Sequence, residues 1–522
     1  MVETMFEMPL DPAGVPRGRA MVERAEWAAR AFASYDAATV QRIVDAAAGA
    51  GAAHAKELAE EAVRETGFGV AEHKLLKNLA CSRGIAELYR AADYVDVVVD
   101  ADAKIVSVPR PAGVVLALTP STNPVATVFF KTLLALLTRN AIVICPHPYA
   151  KEVCAKAARI MSEAAVAAGA PDGCIQVVEE PSIPLVNALM TDPRTDVIVA
   201  TGGSAMVRSA YRSGNPAIGV GPGNVPVLVD ASADLAAAAK RIVDSKAFDN
   251  SILCTNESVL VVEKAVAKQL VSQLERAGAH LLAPDERDRV RDLIFPGGHF
   301  DTAWVGKDAT DIAKAAGVRV GPRTRILLAP FDLVVPEEPL AHEKLCPVLG
   351  MVVVETAARG IDAARAVLRI TGEGHSAAIH STDARTIMEF SAAVRVLRVS
   401  VNVGNSLGSS GLETNLAPSM TIGTGFFGRS SVGENLEPKH LVNWTRMAWN
   451  ADSSVRMPDL AALTPWHAPD GPVPAYPRAS NDGGSPLVPS PTTDIAVEGA
   501  PDNLRDEIRR LIIEELNAIV RG

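Results

Sequence analysis

A cysteine just outside a hydrophobic run is better placed for chemistry than for packing. In "KAFDNSILCTNESVLVVE", Lys246 to Glu263, small and polar residues precede Cys254 and the buried-strand pattern "SVLVV" follows it. A thiolate attacks carbonyl carbon, whereas a buried free thiol is mostly an inert space-filler. Asn123, in "LTPSTNP" (Leu118 to Pro124), also follows an apolar run. Its amide suits an oxyanion, and equally an Asx turn at a strand end. The turn Thr201-Gly202-Gly203-Ser204 closes "VIVA" and enters a helical stretch. Glycines there let backbone approach a phosphate at the positive helix end, and they serve plain tight turns as well. "GVGPGN", Gly219 to Asn224, lacks the G-x-G-x-x-G spacing. His375 in "GEGHSAAIH" and Glu343 in "AHEKLCPVL" lie beside strands, a place that satisfied structural groups share with catalysts. These residues alone point to an α/β enzyme with a nucleotide site and thiol chemistry, and no further.

The elements that must position them alternate. Ala25 to Arg90 is Ala-rich with helical spacing, and "YVDVVVDAD" and "KIVSVPRPAGVVLALTP" then read as strands. "NAIVICPHP", "CIQVVEE" and "TDVIVATGG" are each followed by a helical stretch, and the alternation resumes after Cys254 with "SVLVVE" and "MVVVETA". Strands separated by helices predict βαβ units and parallel, doubly wound sheets, here two α/β domains in series. Thr464 to Pro501 is rich in Pro, Gly and Ser and reads as a linker. Beyond it Leu504, Ile508, Leu511, Ile512, Leu516, Ile519 and Val520 share one helical face, with Asp502 or Asn503 as cap.

Composition excludes several classes. With 522 residues, 48% of them apolar, the chain has room for about three domains and a large core. A formal charge of −10 leaves no basic stripe for phosphates, which argues against a nucleic-acid partner. The six cysteines (81, 145, 154, 174, 254 and 346) show neither a CxxC pair nor zinc spacing, so no metal site is expected and a reducing compartment is. The amino terminus lacks a signal-peptide pattern and no apolar run suffices to span a bilayer. A soluble, cytoplasmic protein is the expectation.

In chain order, "TPSTNP", "FFKTLLALLTRNAIVICPHPYAK", "GAPDGCIQVVEEPS", "ATGG", "PAIGVGPGNVP", "FDNSILCTNESVLVVE", "AHEKLCP", "GHSAAIH" and "VGENLEPKHL" make the sequence resemble the CoA-acylating aldehyde dehydrogenases. The likeness is greatest to the aldehyde dehydrogenase half of bifunctional aldehyde-alcohol dehydrogenases, over about Pro109 to Val442. No alcohol dehydrogenase half follows, so only the aldehyde reaction is implied. The resemblance makes Cys254 the nucleophile, Asn123 and the Cys254 backbone N–H the oxyanion donors, and His375 a proton acceptor. It places Leu118, Thr119, Pro120, Ser121, Thr122, Asn123, Gly202, Gly203, Ser204 and Gly221 around a dinucleotide, with Glu343 on the nicotinamide ribose. NAD is implied; no acid stands at the end of "AIVICPHP", so NADP stays open. Hydrolytic relatives carry a glutamate in the segment matching Pro216 to Val229; here that segment has no acid, which favours coenzyme A over water as acyl acceptor. Phe426, Phe427 and Arg429 in "GTGFFGRSS" depart from a smaller, Gly-rich version in the bifunctional enzymes and bear on which aldehyde fits.

The implied fold is aldehyde dehydrogenase-like: two doubly wound α/β domains, a small oligomerisation element and a flexible C-terminal tail. Expected boundaries are 1–243 for N-terminal helices and dinucleotide-binding domain, 244–430 for the thiol domain and 431–463 for a return to the cofactor and oligomerisation part. Linker 464–501 and amphipathic helix 502–522 complete the chain. The tail resembles peptides that carry enzymes into bacterial microcompartments, implying a shell partner; packing of the helix on its own oligomer is the alternative. The expected substrate is propionaldehyde or acetaldehyde with coenzyme A. A hydrolytic NAD-dependent enzyme and an inactive shell-associated scaffold are the alternatives. A homodimer or homotetramer is expected, with strands near Val97–Val108 and the region after Gly433 exchanging between subunits.

Overall fold

The computed structural model describes residues 14–460, 463–469 and 476. Its strands in the first half are β1 (Val98–Asp100), β2 (Ile105–Pro111), β3 (Val114–Thr119), β4 (Ala141–Pro146), β5 (Ile175–Val177), β6 (Val197–Thr201) and β7 (Ala217–Val220). Then come β8 (Val225–Val229), β9 (Glu257–Glu263), β10 (Ala279–Leu281), β11 (Ile326–Pro330), β12 (Val348–Val354), β13 (Ala377–His380), β14 (Val399–Val401) and β15 (Val442–Ala448).

Two parallel sheets dominate. The first runs β5-β4-β3-β6-β7. "VVLALT" and "AIVICP" are buried throughout, as strands covered on both faces must be. Winding reverses between β3 and β6, so the crevice beyond their carboxyl ends is the switch point where such sheets take ligands. The second sheet runs β10-β11-β12-β9-β8-β13-β14. Only four residues, Gly221 to Asn224, join β7 to β8, so the carboxyl edge of one sheet meets the amino edge of the other. The crossover thus falls at 221–224 and not at the expected 243/244, because "VPVLV" is wholly buried as a strand of the second sheet.

The third sheet is antiparallel, β1-β2-β15, with β15 paired to β2 from Val442↔Pro111 to Ala448↔Ile105. This pairing lies within one chain. N-terminal helices Val15–Phe32, Ala37–Ala53 and Ala55–Thr66 lead to Ala71–Leu79 and a π-helical turn at Ala80–Gly84. Asp36 caps the second by accepting from the Thr39 N–H. The stretch read as linker begins docked: Trp466 lies 4.2 Å beneath the Arg139 guanidinium, His467 bridges to Tyr35, and the Tyr476 hydroxyl donates to Glu23. The remaining tail, with the helix expected at 502–522, lies outside the described residues. Among the described residues no helix is long and apolar enough to cross a membrane.

Candidate active site

Cys254 follows a strained turn. Asp249, Asn250 and Ser251 have φ of 50°, 51° and 65°, left-handed for three consecutive non-glycine residues. Such a run persists only where surroundings over-determine it. The Asn250 amide donates to the Gly306 carbonyl and to Asp308, both at 3.0 Å, and Asn256 accepts from the Leu253 N–H at 3.0 Å. Asn405 donates to the Thr255 carbonyl at 2.7 Å. Cys254 is the one partly exposed cysteine; the other five are buried. Burial, with Glu343 adding to it, pushes its thiol up to about 12, while the Arg398 guanidinium pulls the other way.

Glu343, Cys254, Gly223 and His375 precede β12, β9, β8 and β13 respectively. Those four strands are neighbours, so the sheet order gathers residues from four distant segments at one edge. Gly223 touches both the cysteine and the glutamate: a Cβ there would overlap the Cys254 carbonyl and lie 3.4 Å from Glu343 Oε1. The Gly223 N–H hydrogen-bonds the Glu343 carboxylate, yet burial dominates and pushes that carboxyl up to about 8. The acid-free segment Pro216–Val229 therefore lies against the cysteine.

Asn123 stands ahead of the helix Pro124–Leu137, at the carboxyl end of β3. Its Oδ1 accepts from Lys77, and its Nδ2 reaches only Thr122 Oγ1 at 3.3 Å. His375 is fully buried; burial and then Arg398 lower its imidazole to about 3, so it is neutral. His375 bonds Ser376 at 3.0 Å, not Cys254, and reaches the cysteine loop through Ser376 and Asn405. Its Nε2 is buried with no protein partner. Arg398 ties this corner to the loop 421–435: it donates to carbonyls of His375 (2.8 Å), Gly433 (3.1 Å) and Gly423, and to Asn435 Oδ1 at 2.6 Å. On that loop Phe427 lies under Arg395 at 4.7 Å, and Phe426 is 91% exposed to solvent.

The residues expected around a dinucleotide collect at the β3/β6 switch point. The loop Leu118–Asn123 closes β3 and Gly202–Gly203 closes β6. The helix Ser204–Arg212 begins there without a side-chain cap, and a Cβ on Gly203 would meet nothing within 4 Å. Uncapped N–H groups and an open glycine fit a pyrophosphate. Gly221 lies beside them, 3.7 Å from Thr424 Oγ1 measured from a Cβ position. Among the described residues no cluster of His, Cys, Asp or Glu could hold a metal.

Residues 13–415 match the aldehyde dehydrogenase family. This chain belongs to that family. The bifunctional aldehyde-alcohol dehydrogenase of Escherichia coli strain K12 is 38% identical over 440 residues, 83% of this chain and 49% of that protein. The chain thus spans about half the length of this relative. A crystal structure of an acetylating aldehyde dehydrogenase from Geobacillus thermoglucosidasius is similar at 36% identity and a TM-score of 0.81, covering 85% of this chain and 98% of that one. A propionaldehyde dehydrogenase from Rhodopseudomonas palustris with bound propionyl-CoA is similar at 28% identity and a TM-score of 0.76, covering 83% and 94%.

Four partners in this site carry no signal of their own in the sequence: Lys74, Lys77, Asp249 and Arg398. Asp249 stands inside the quoted "FDNSILC", five residues before the thiol, where its left-handed turn left no periodic signature. Lysines are almost never fully buried, so Lys74 and Lys77 read as solvated positions of an Ala-rich helix.

Proposed function

We propose that this protein is a CoA-acylating aldehyde dehydrogenase that converts a short aldehyde, acetaldehyde or propionaldehyde, to its acyl-CoA. The observation that carries the reading is the packing of the acid-free segment Pro216–Val229 onto Cys254 at Gly223. With no carboxylate in that segment to activate water, a thiol is the better acceptor of an acyl group. The likeness to acetylating and propionaldehyde enzymes supports the same choice.

Cys254 releases its thiol proton to solvent and attacks the carbonyl carbon as the thiolate; the C–S bond forms and the π pair moves onto oxygen. The Asn123 amide and the Cys254 backbone N–H receive that oxyanion. Leu118–Asn123, Gly202 and Gly203 at the β3/β6 crevice would hold a nicotinamide dinucleotide, NAD or NADP, which would supply the hydride acceptor for the same carbon. The oxygen's pair re-forms the carbonyl and a thioester remains on Cys254. The CoA thiolate then adds to this carbon and Cys254 departs. His375, in hydrogen-bond contact with Ser376 through Nδ1 and with its Nε2 unpartnered, is the acceptor assigned to the CoA thiol proton. A shell partner for residues 502–522 and a homo-oligomer built through β2 and β15 belong to the same proposal. Reduction of NAD with propionaldehyde should require CoA and yield propionyl-CoA, and Cys254→Ala should abolish it. Full-rate NADH formation without CoA, with free acid as product, would sink the reading.

A further inference from the structure

Behind Asn123 lies a buried ionic cluster that the mechanism above leaves unused. Lys74 and Lys77 stand three residues apart on the helix Ala71–Leu79, just before its π-helical turn. Their side chains are 3% and 1% exposed, and Asp249, between them, is 0% exposed. Lys77 donates to Asp249 Oδ2 and to Asn123 Oδ1 together. Lys74 donates to the same Oδ2 at 3.2 Å and to the Thr122 carbonyl at 3.1 Å. Asp249 Oδ1 accepts from the Val70 N–H at 2.6 Å, and the Asp249 N–H donates to His73 Nδ1 at 2.8 Å. A Cβ on Gly69 would overlap the same carboxylate. Burial alone would raise the Asp249 carboxyl, but Lys77 and Lys74 more than offset it and hold it below its ordinary value.

We propose that Lys77, anchored by Asp249, is a positioning residue that aims and polarises the Asn123 amide toward the aldehyde oxygen. This rests on the acylating reading of the site. An ammonium only donates, so Lys77 turns the amide oxygen of Asn123 toward itself and leaves the NH₂ for the other side. A full charge on the amide oxygen draws electron density from the nitrogen and makes its N–H a better donor to a developing oxyanion. Two ammoniums against one carboxylate leave net positive charge behind the amide, in a water-excluded place where charge acts strongly. Asp249 belongs to the rigid turn that delivers Cys254. One carboxylate therefore fixes both the nucleophile and, through Lys77, the oxyanion donor.

The test compares Lys77→Met, Asn123→Ala and their double variant with wild type. The readouts are aldehyde kcat/KM at saturating CoA, KM for CoA, and the rate of Cys254 alkylation by iodoacetamide, which forms no oxyanion. Loss of one oxyanion donor costs about 100-fold or more. Lys77→Met should approach that loss, with KM for CoA and alkylation within about twofold of wild type, and the double variant no slower than Asn123→Ala alone. Multiplying losses in the double variant, or alkylation falling in step with turnover, would overturn the proposal. If Lys77→Met does not fold, Lys77→Gln keeps a donor without the charge, and a loss below twofold in kcat/KM overturns it equally. Wild-type turnover separates the two levels: an inactive wild type sinks the acylating reading, an active one with additive losses sinks only the role of Lys77.

Discussion

Replacing Gly223 by alanine tests whether the segment between the two sheets sets the position of the nucleophile. A Cβ at this residue would lie about 1 Å inside the 3.0 Å that real Cβ atoms keep, and the atom it meets is the Cys254 backbone carbonyl oxygen. No flexible side chain can yield there. The Glu343 carboxylate, 3.4 Å away, closes the other direction. The cysteine loop is pinned by Asn256, Asn405 and Thr255, so the strain must move Cys254 or the segment by about 1 Å. Misplacing a reacting group by ~1 Å costs on the order of 100-fold in rate, equivalent to about 2.7 kcal/mol of barrier. The assay is kcat/KM for propionaldehyde with NAD and CoA, read beside the melting temperature. Gly49→Ala is the control: it sits exposed in the helix Ala37–Ala53, where a Cβ meets nothing within 4 Å, and should leave turnover unchanged. A Gly223→Ala enzyme within twofold of wild type would refute the argument that this contact sets the nucleophile's position.

Two titrations check the electrostatics. Glu343 is the second cause, after burial, of the raised Cys254 thiol, so Glu343→Gln should lower the pH midpoint of iodoacetamide alkylation at Cys254; an unchanged midpoint counts against their proximity. His380 is buried at the end of β13, and burial followed by Arg241 lowers it from 6.5 to about 4. Its imidazole stays neutral in the fold while the unfolded chain takes up the proton, so its stabilising share is complete above pH 6.5 and is lost as pH falls toward about 4. The stability of His380→Gln should therefore vary with pH by about 1.4 kcal/mol per unit less steeply than wild type in that window; parallel urea-midpoint curves would contradict this.

Local pattern carried a good deal of this molecule. Uninterrupted apolar runs such as "VVLALT" and "AIVICP" separated by helical stretches are what parallel strands buried on both faces must look like, so the α/β class was legible without any contact information. Cys254 stood out because a thiol before a strand has no packing reason to be there, and Gly202–Gly203 because a strand-to-helix turn is written in adjacent residues. What tertiary structure alone decided is who stands next to whom. The sheet order β12-β9-β8-β13 brings Glu343, Cys254, Gly223 and His375 to one edge. Lys77 meets Asn123 across 46 residues of chain and Asp249 across 172. Arg398, one of two arginines in the apolar stretch "AAVRVLRVSV", holds the backbone carbonyls of His375, Gly423 and Gly433. Periodicity reports which face of one element is buried, but not which element covers it. A charge kept inside the fold by a distant partner therefore leaves no trace in its own neighbourhood of sequence.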